Sequence, residues 1–326
     1  MKRKKKGKKM IVYYIAIPII VIILALFTFT YVRYRPDIRS YYNKLEELDS
    51  KIIETDYGPT QYAELGDGYP LLIVHGIFGG FDQGLITARD YYMEGFRTIV
   101  PSRFGYLNTS MPEDAMPSDQ ADAFASLLDS FDIEKTAVMA TSAGGTSAIQ
   151  FALRHPERVS AMVLISSNAP GETEAGLPPK PIAKVFFRSN YIFWLLSTYF
   201  SSSLKGIMGV PKDFEMTPEY EIRVTEMMGT VLPVNPRSEG AIYDMFISNS
   251  DINSGYPIQE IAVPVLIVNA LDDPLTLYKN AAAMAKEIPG AELITVKDGG
   301  HLLLGHSNEV KPKVVEFLKK FIQEEN

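Results

Sequence analysis

The chain has 326 residues, 46% of them hydrophobic, a formal net charge of −7 and no cysteine, which excludes disulfides, a thiol nucleophile and cysteine metal sites. Its length allows one large domain with additions. The first nine residues hold seven of the 32 basic residues and none of the 39 acidic ones, so the remainder stands at −14, a poor basis for nucleic-acid binding through basic patches.

After this basic head, residues 1–9, an uncharged apolar run covers residues 10–32. As a helix it would be about 35 Å long, enough for a hydrocarbon core of about 30 Å. A cleaved signal peptide has a shorter apolar core and a small-residue cleavage site; neither is present, and Tyr31 and Tyr34 suit a membrane interface. The run therefore reads as a transmembrane signal anchor, with Pro18 tolerable inside it. The positive head places the N-terminus in the cytoplasm and the rest of the chain outside it. Residues 33–50 read as a polar juxtamembrane linker, helical around 38–48, and residues 51–326 as the folded domain.

Residues 51–55, 61–65 and 69–74 read as strands, the last running into the glycine-rich loop His75-Gly76-Ile77-Phe78-Gly79-Gly80. A further strand at 98–101 precedes Arg103-Phe104-Gly105-Tyr106. Residues 118–131 read as an amphipathic helix capped by Ser118. The apolar run 136–139 leads into Ala140-Thr141-Ser142-Ala143-Gly144-Gly145 and then a helix over 146–153. Small neighbours two positions either side of Ser142 let a strand bend sharply into a helix and leave the hydroxyl standing clear, the nucleophile-elbow pattern, with Ala140 in place of its first glycine. Residues 161–166 form another buried strand. Apolar strands alternating with helices imply an α/β fold with a mostly parallel sheet covered on both faces.

The strand rhythm stops over about 171–255, where aromatic residues recur at helical spacing, which predicts an inserted helical cap. It either packs on the core or also forms an apolar lid. A second membrane span there is disfavoured by Lys184, Arg188 and Asn190. The strand at 264–270 ends in Leu271-Asp272-Asp273-Pro274, and the strand at 292–296 is followed by Gly299-Gly300-His301.

A serine hydroxyl needs an imidazole to take its proton, and the imidazole a carboxylate to fix its tautomer. Of four histidines, His75 ends a strand and His155 ends a helix, leaving His301 as the expected base and His306 as the alternative. Asp273 is the expected carboxylate and Asp272 the competing one, with turn capping the other common role of an aspartate beside proline. The developing oxyanion needs donors, expected from the amide of Ala143 and from that of Ile77, with Phe78 second. No metal or cofactor is expected.

In this order, the strand into His75-Gly76, the elbow at Ser142, the Asp273-Pro274 turn and the Gly300-His301 loop resemble the α/β-hydrolase fold family over roughly residues 52–323. The resemblance implies a serine hydrolase of the esterase and lipase kind, acting on a small-molecule acyl substrate, either lipophilic and taken from the membrane or soluble. Two other readings remain on the same fold: a non-catalytic signalling or ligand-binding protein, and a cofactor-free haloperoxidase-like enzyme.

Overall fold

The computed structural model describes residues 2–91, 94–172 and 176–323. Residue 1 of the basic head, 173–175 within the 171–255 segment and 324–326 lie outside the described residues. Strands β1 (Lys51–Thr55), β2 (Gly58–Leu65), β3 (Tyr69–Val74), β4 (Phe96–Pro101), β5 (Thr136–Thr141), β6 (Val159–Ile165), β7 (Val265–Ala270) and β8 (Glu292–Val296) form one sheet. Their spatial order is β1-β2-β4-β3-β5-β6-β7-β8. β1 and β4 each pair antiparallel with β2, and every other pairing is parallel.

The central strands β3, β5, β6 and β7 are buried and apolar along most of their length because both faces are covered, as parallel strands require, whereas β1 and β8 at the two edges stay partly exposed. Leu72 and Val74 of β3 face a core shared with α3 (Pro117–Asp129), α4 (Gly144–Arg154) and α11 (Tyr278–Glu287). Leu71 and Ile73 face the opposite core, built with α2 (Phe81–Asp90) and α12 (Ser307–Gln323). All four of these β3 side chains are fully buried, each such burial being worth on the order of 1.5–3 kcal/mol against exposure.

The strand order reverses direction at β3, whose next strand in sequence lies on one side and β5 on the other. Register pairs Val74 with Ala140 and Ile165 with Val268. The residues following β3, β5, β6 and β7 therefore emerge at one edge of the sheet, where ligands bind in open parallel sheets.

The predicted serine cap on the third helix is corrected by the structure. Helix α3 starts at Pro117, with Met116 as its cap and Ser118 already inside the first turn. Proline has its φ preset for the first helical position, and the Asp119 carboxylate reaches back to the Met116 amide at 2.8 Å.

Between β6 and β7 the chain leaves the sheet for α5 (Lys180–Phe187), α6 (Asn190–Tyr199), the single turn α7 (Ser201–Leu204), α8 (Pro218–Thr230), α9 (Ser238–Tyr243), a π-helical stretch over Asp244–Ser248 and α10 (Asn249–Asp251). The N-terminal helix α1 runs unbroken from Lys2 to Glu46 with Pro18 and Pro36 inside it. Its apolar part is long enough to cross a membrane, with mean hydropathy 2.7. The stretch expected as a linker is thus largely helical. It is also docked: Tyr34, Ile38 and Tyr41 pack against the apolar cluster of the insertion, and Leu45 and Leu48 against the core on the α2–α12 side.

Candidate active site

Ser142 sits on the sharp turn from β5 into α4 with φ of 52°, a conformation a non-glycine residue holds only where its surroundings enforce it. Three backbone bonds do so: the Ser142 amide donates to Ile165 at 3.1 Å, and its carbonyl accepts from Gly145 and Asn168 at 3.1 and 3.0 Å. Close approach explains Gly144. A Cβ there would stand 2.5 Å from the His75 carbonyl oxygen and 2.7 Å from that of Val74, so only glycine lets α4 start against the end of β3.

The three expected side chains converge. His301 Nε2 lies 2.9 Å from Ser142 Oγ, and His301 Nδ1 lies 2.9 and 3.2 Å from the two carboxylate oxygens of Asp273. Asp273 is buried and accepts further bonds from the Leu275 and Thr276 amides at 2.9 and 3.0 Å and from the Thr276 hydroxyl at 2.7 Å. Burial pushes its pKa up, but the His301 ring and the bonds from His301 and Thr276 outweigh burial and hold it below the ordinary aspartate value. An acceptor-only carboxylate in this position leaves His301 with its proton on Nδ1 and a free lone pair on Nε2 toward the serine.

Asp272 does something else. Its carboxylate accepts from the amides of Gly299 and Gly300 at 3.2 and 2.9 Å, bracing the loop that carries His301. His306 bonds Asp298 at 2.7 Å and His155 bonds Asp122 at 2.7 Å.

The His75–Gly80 loop lies against the serine, since a Cβ on Gly76 would come within 3.0 Å of Ser142 Cβ. Among the described residues none of the Ile77, Phe78 and Ala143 amides donates to a backbone carbonyl. His75 is buried, its Nδ1 2.7 Å from the Gly76 carbonyl oxygen and its Nε2 accepting from the Arg103 amide at 3.0 Å. Burial first, then the Arg103 charge, lowers its pKa well below the ordinary value, so the ring is neutral.

A cavity of about 590 Å³ opens over Ser142 and His301. Ile77, Phe78, Ile86, Met208, Met227 and Val231 line it together with charged Asp90, Glu219, Arg223, Glu226 and Lys311. Ser166 lines it too and its buried hydroxyl has no hydrogen-bond partner. Among the described residues no three His, Asp or Glu side chains are grouped to hold a metal ion.

Residues 69–202 match the family model of the alpha/beta hydrolase fold, and residues 249–322 that of TAP-like proteins. The chain is 30% identical over 268 residues to the uncharacterized hydrolase YcgS of Bacillus subtilis, covering 77% of this chain and 91% of the relative. The chain belongs to the α/β-hydrolase fold family. This α/β-hydrolase is also similar to the carboxylesterase YbfK of Bacillus subtilis, at 26% identity over 83% of the chain and 88% of the relative. Its fold superposes on an alpha/beta hydrolase fold protein from Nakamurella multipartita with a TM-score of 0.68, at 26% identity, covering 83% of this chain and 99% of that one. It is an enzyme of the hydrolase class, esterase-like in its relatives.

Sequence reasoning did not reach four features of this α/β-hydrolase's site. Thr276 carries a hydroxyl bond to Asp273 at 2.7 Å. Gly209, in the insertion, accepts the His301 amide at 3.0 Å and leaves no room for a Cβ, which would lie 2.2 Å from that of His301. Two buried ion pairs cross between insertion and core beside the glycine-rich loop. Arg103 pairs with Asp244 through two bonds of 2.7 and 2.5 Å while its Nε donates to the His75 carbonyl at 2.9 Å. Arg237 pairs with Asp82 at 3.0 and 2.7 Å and donates to the Gly79 carbonyl at 2.6 Å. Only the Arg103-Phe104-Gly105-Tyr106 turn was visible beforehand, as an arginine with no stated partner.

Proposed function

We propose that the protein is a membrane-anchored serine hydrolase that cleaves an ester or related acyl bond through an acyl-enzyme. The single observation that carries this reading is the continuous hydrogen-bonded line from Ser142 Oγ through His301 to Asp273. Ser142 attacks the carbonyl carbon as His301 Nε2 takes the hydroxyl proton. Asp273 orients the ring and stabilises its cation. The Ile77 and Ala143 amides, left without backbone acceptors, receive the oxyanion. His301 then protonates the departing alcohol, and a water activated by the same nitrogen releases the acid and restores the serine. The carboxylesterase named among the relatives favours an ester as the bond broken.

The apolar share of the cavity lining, Ile77, Phe78, Ile86, Met208, Met227 and Val231 among it, favours a lipophilic acyl group, and the insertion above the cavity acts as a cap. Helix α1 anchors the enzyme with its N-terminus in the cytoplasm and the hydrolase domain outside, on the strength of the basic head. The test uses the full-length protein in detergent or bilayer. Ser142→Ala abolishes both fluorophosphonate labelling and turnover of p-nitrophenyl esters, by about 10⁴-fold or more. Retained labelling or turnover in that variant refutes the mechanism. Across esters from acetyl to long acyl, kcat/KM rises with chain length; a maximum at acetyl refutes the lipophilic preference.

A further inference from the structure

We propose that the outward face of the insertion, centred on α5, is a membrane-contact surface that seats on the anionic headgroup layer beside the anchor. The proposal rests on the reading of α1 as a membrane span.

The order of contacts along α1 ranks the layers of the molecule. Phe27, Thr30 and Tyr31 belong to the apolar run 10–32. Tyr191 of α6 reaches them, its hydroxyl 2.6 Å from Thr30 Oγ1 and its ring 5.5 and 5.9 Å from those of Phe27 and Tyr31. Further along α1, the Tyr34 ring lies 5.5 Å from Trp194, and Asp37 accepts from the indole nitrogen at 2.9 Å. Further on again, Leu45 and Leu48 are the described residues of this segment that pack on the core beside the sheet. At a rise of about 1.5 Å per residue, Thr30 and Leu45 lie about 22 Å apart along the axis. The insertion therefore lies between the apolar run and the sheet, and the face it turns away from the sheet is the face turned toward the membrane.

Helix α5 has two such faces. Ala183 and Phe187 are buried, the Phe187 ring 4.9 Å from that of Phe78 in the loop beside Ser142. On the other side Ile182 and Val185 are 61% and 64% exposed, with Lys184 and Arg188 exposed alongside them. Bulky apolar side chains set among cations match a helix lying in the interface, the former entering the acyl boundary and the latter meeting anionic headgroups. Docking in this way puts the cover of the active site on the lipid side, so acyl esters dissolved in the bilayer become its nearest substrates.

The chain has no cysteine, so a single introduced cysteine takes a fluorophore at one site. Val185→Cys reports on the proposed surface and Leu24→Cys on the span. Glu157→Cys, in the turn ahead of β6 and at the opposite edge of the sheet from Ser142, is the distant control. Each full-length variant is reconstituted in phosphatidylcholine–phosphatidylglycerol bilayers containing nitroxide lipids. Headgroup-level nitroxides quench the label at position 185, mid-chain nitroxides quench that at 24, and the label at 157 keeps its intensity. Adding Lys184→Glu and Arg188→Glu to the Val185→Cys protein lowers the docking equilibrium constant by roughly ten- to a hundredfold. Quenching at 24 without quenching at 185, or equal quenching at 185 and 157, overturns the contact surface and leaves the anchor standing. Quenching at neither 24 nor 185 overturns the anchor reading and the surface with it. Undiminished quenching after charge reversal overturns anionic headgroups as the partner.

Discussion

Adjacent carboxylates with different surroundings can do different work, and Asp272 and Asp273 are such a pair. Asp273 meets the imidazole and is held ionised by donors from Thr276 and His301 against the effect of burial. Asp272 meets two glycine amides. Asp273→Asn is expected to lower kcat by about 10⁴-fold, because the amide would hold the wrong imidazole tautomer. Asp272→Asn should cost mainly stability, on the order of 1 kcal/mol. Steady-state kinetics on both variants decides, and a larger activity loss at Asp272 reverses the assignment.

His75 gives a second residue-level prediction, in pH. Its pKa in the folded protein is well below the ordinary 6.5, so on unfolding it takes up a proton that the folded state excludes. Stability then rises with pH wherever the unfolded chain binds the extra proton. The contribution is fully present above about pH 6.5 and is lost progressively as pH falls below it. Urea midpoints between pH 7.5 and 5 should slope downward on acidification, and His75→Gln should flatten that slope whatever its absolute stability. An unchanged slope would show that His75 takes up its proton in the fold as readily as in the unfolded chain. Asp273 acts at lower pH in the same sense: its depressed pKa stabilises the fold above the ordinary aspartate value, an effect lost as pH falls through the folded-state value.

At the scale of elements, two cross-connections hold the insertion to the sheet. One ties β4's following loop to the π-helical stretch through Arg103 and Asp244, whose side chains are 1% and 0% exposed. Tyr106 donates to the same carboxylate at 2.5 Å, its own pKa pushed well up by burial and then by Asp244. Removing one partner of a buried pair strands the other charge, so Asp244→Ala should destabilise by about 3–5 kcal/mol. The combined Arg103→Met and Asp244→Leu protein leaves no stranded charge at this pair and should unfold at higher urea than Asp244→Ala. It nonetheless lacks the Arg103 bond to the His75 carbonyl, so its kcat should fall while KM changes little. Equal stability of the single and combined variants would dismiss the stranded charge as the cause.

At the scale of the whole molecule, α1 is both an apolar rod and a packing element. Its apolar stretch exposes side chains such as Ile20, Leu24 and Phe29, which no soluble environment favours, while Tyr34 and Ile38 pack on the insertion. As a span, it should keep the protein in the membrane pellet through alkaline carbonate extraction. Protease added to intact cells or spheroplasts should degrade the domain, and the mature N-terminus should precede residue 10. A mature chain beginning after Val32 would dismiss the anchor.

What the sequence determined by itself was whatever rests on neighbours in the chain. Strands such as Tyr69–Val74 and Glu292–Val296 were legible to the residue, because each is a short run rich in strand-forming apolar residues bounded by turn residues, the first largely buried and the second half exposed at the sheet's edge. The elbow at Ser142 was legible because the need for small residues is local to one turn. His301 stood out because the glycine pair before it, free to adopt positive φ, breaks the strand and marks a loop. The Ser118 cap misled because Pro117 and Asp119 compete at the same helix start, and proline at the first position decides it. Tertiary structure alone shows that Asp273 reaches the His301 ring, 28 residues further on, while Asp272 turns to the Gly299 and Gly300 amides. It alone joined Asp244 to Arg103 and Arg237 to Asp82, and seated Tyr191 and Trp194 on α1, across separations of 141, 155 and more than 150 residues. Contacts of that range leave no periodicity in the chain: each partner reads alone as an ordinary charge or aromatic, and only the packed fold supplies the burial that gives the pair its meaning.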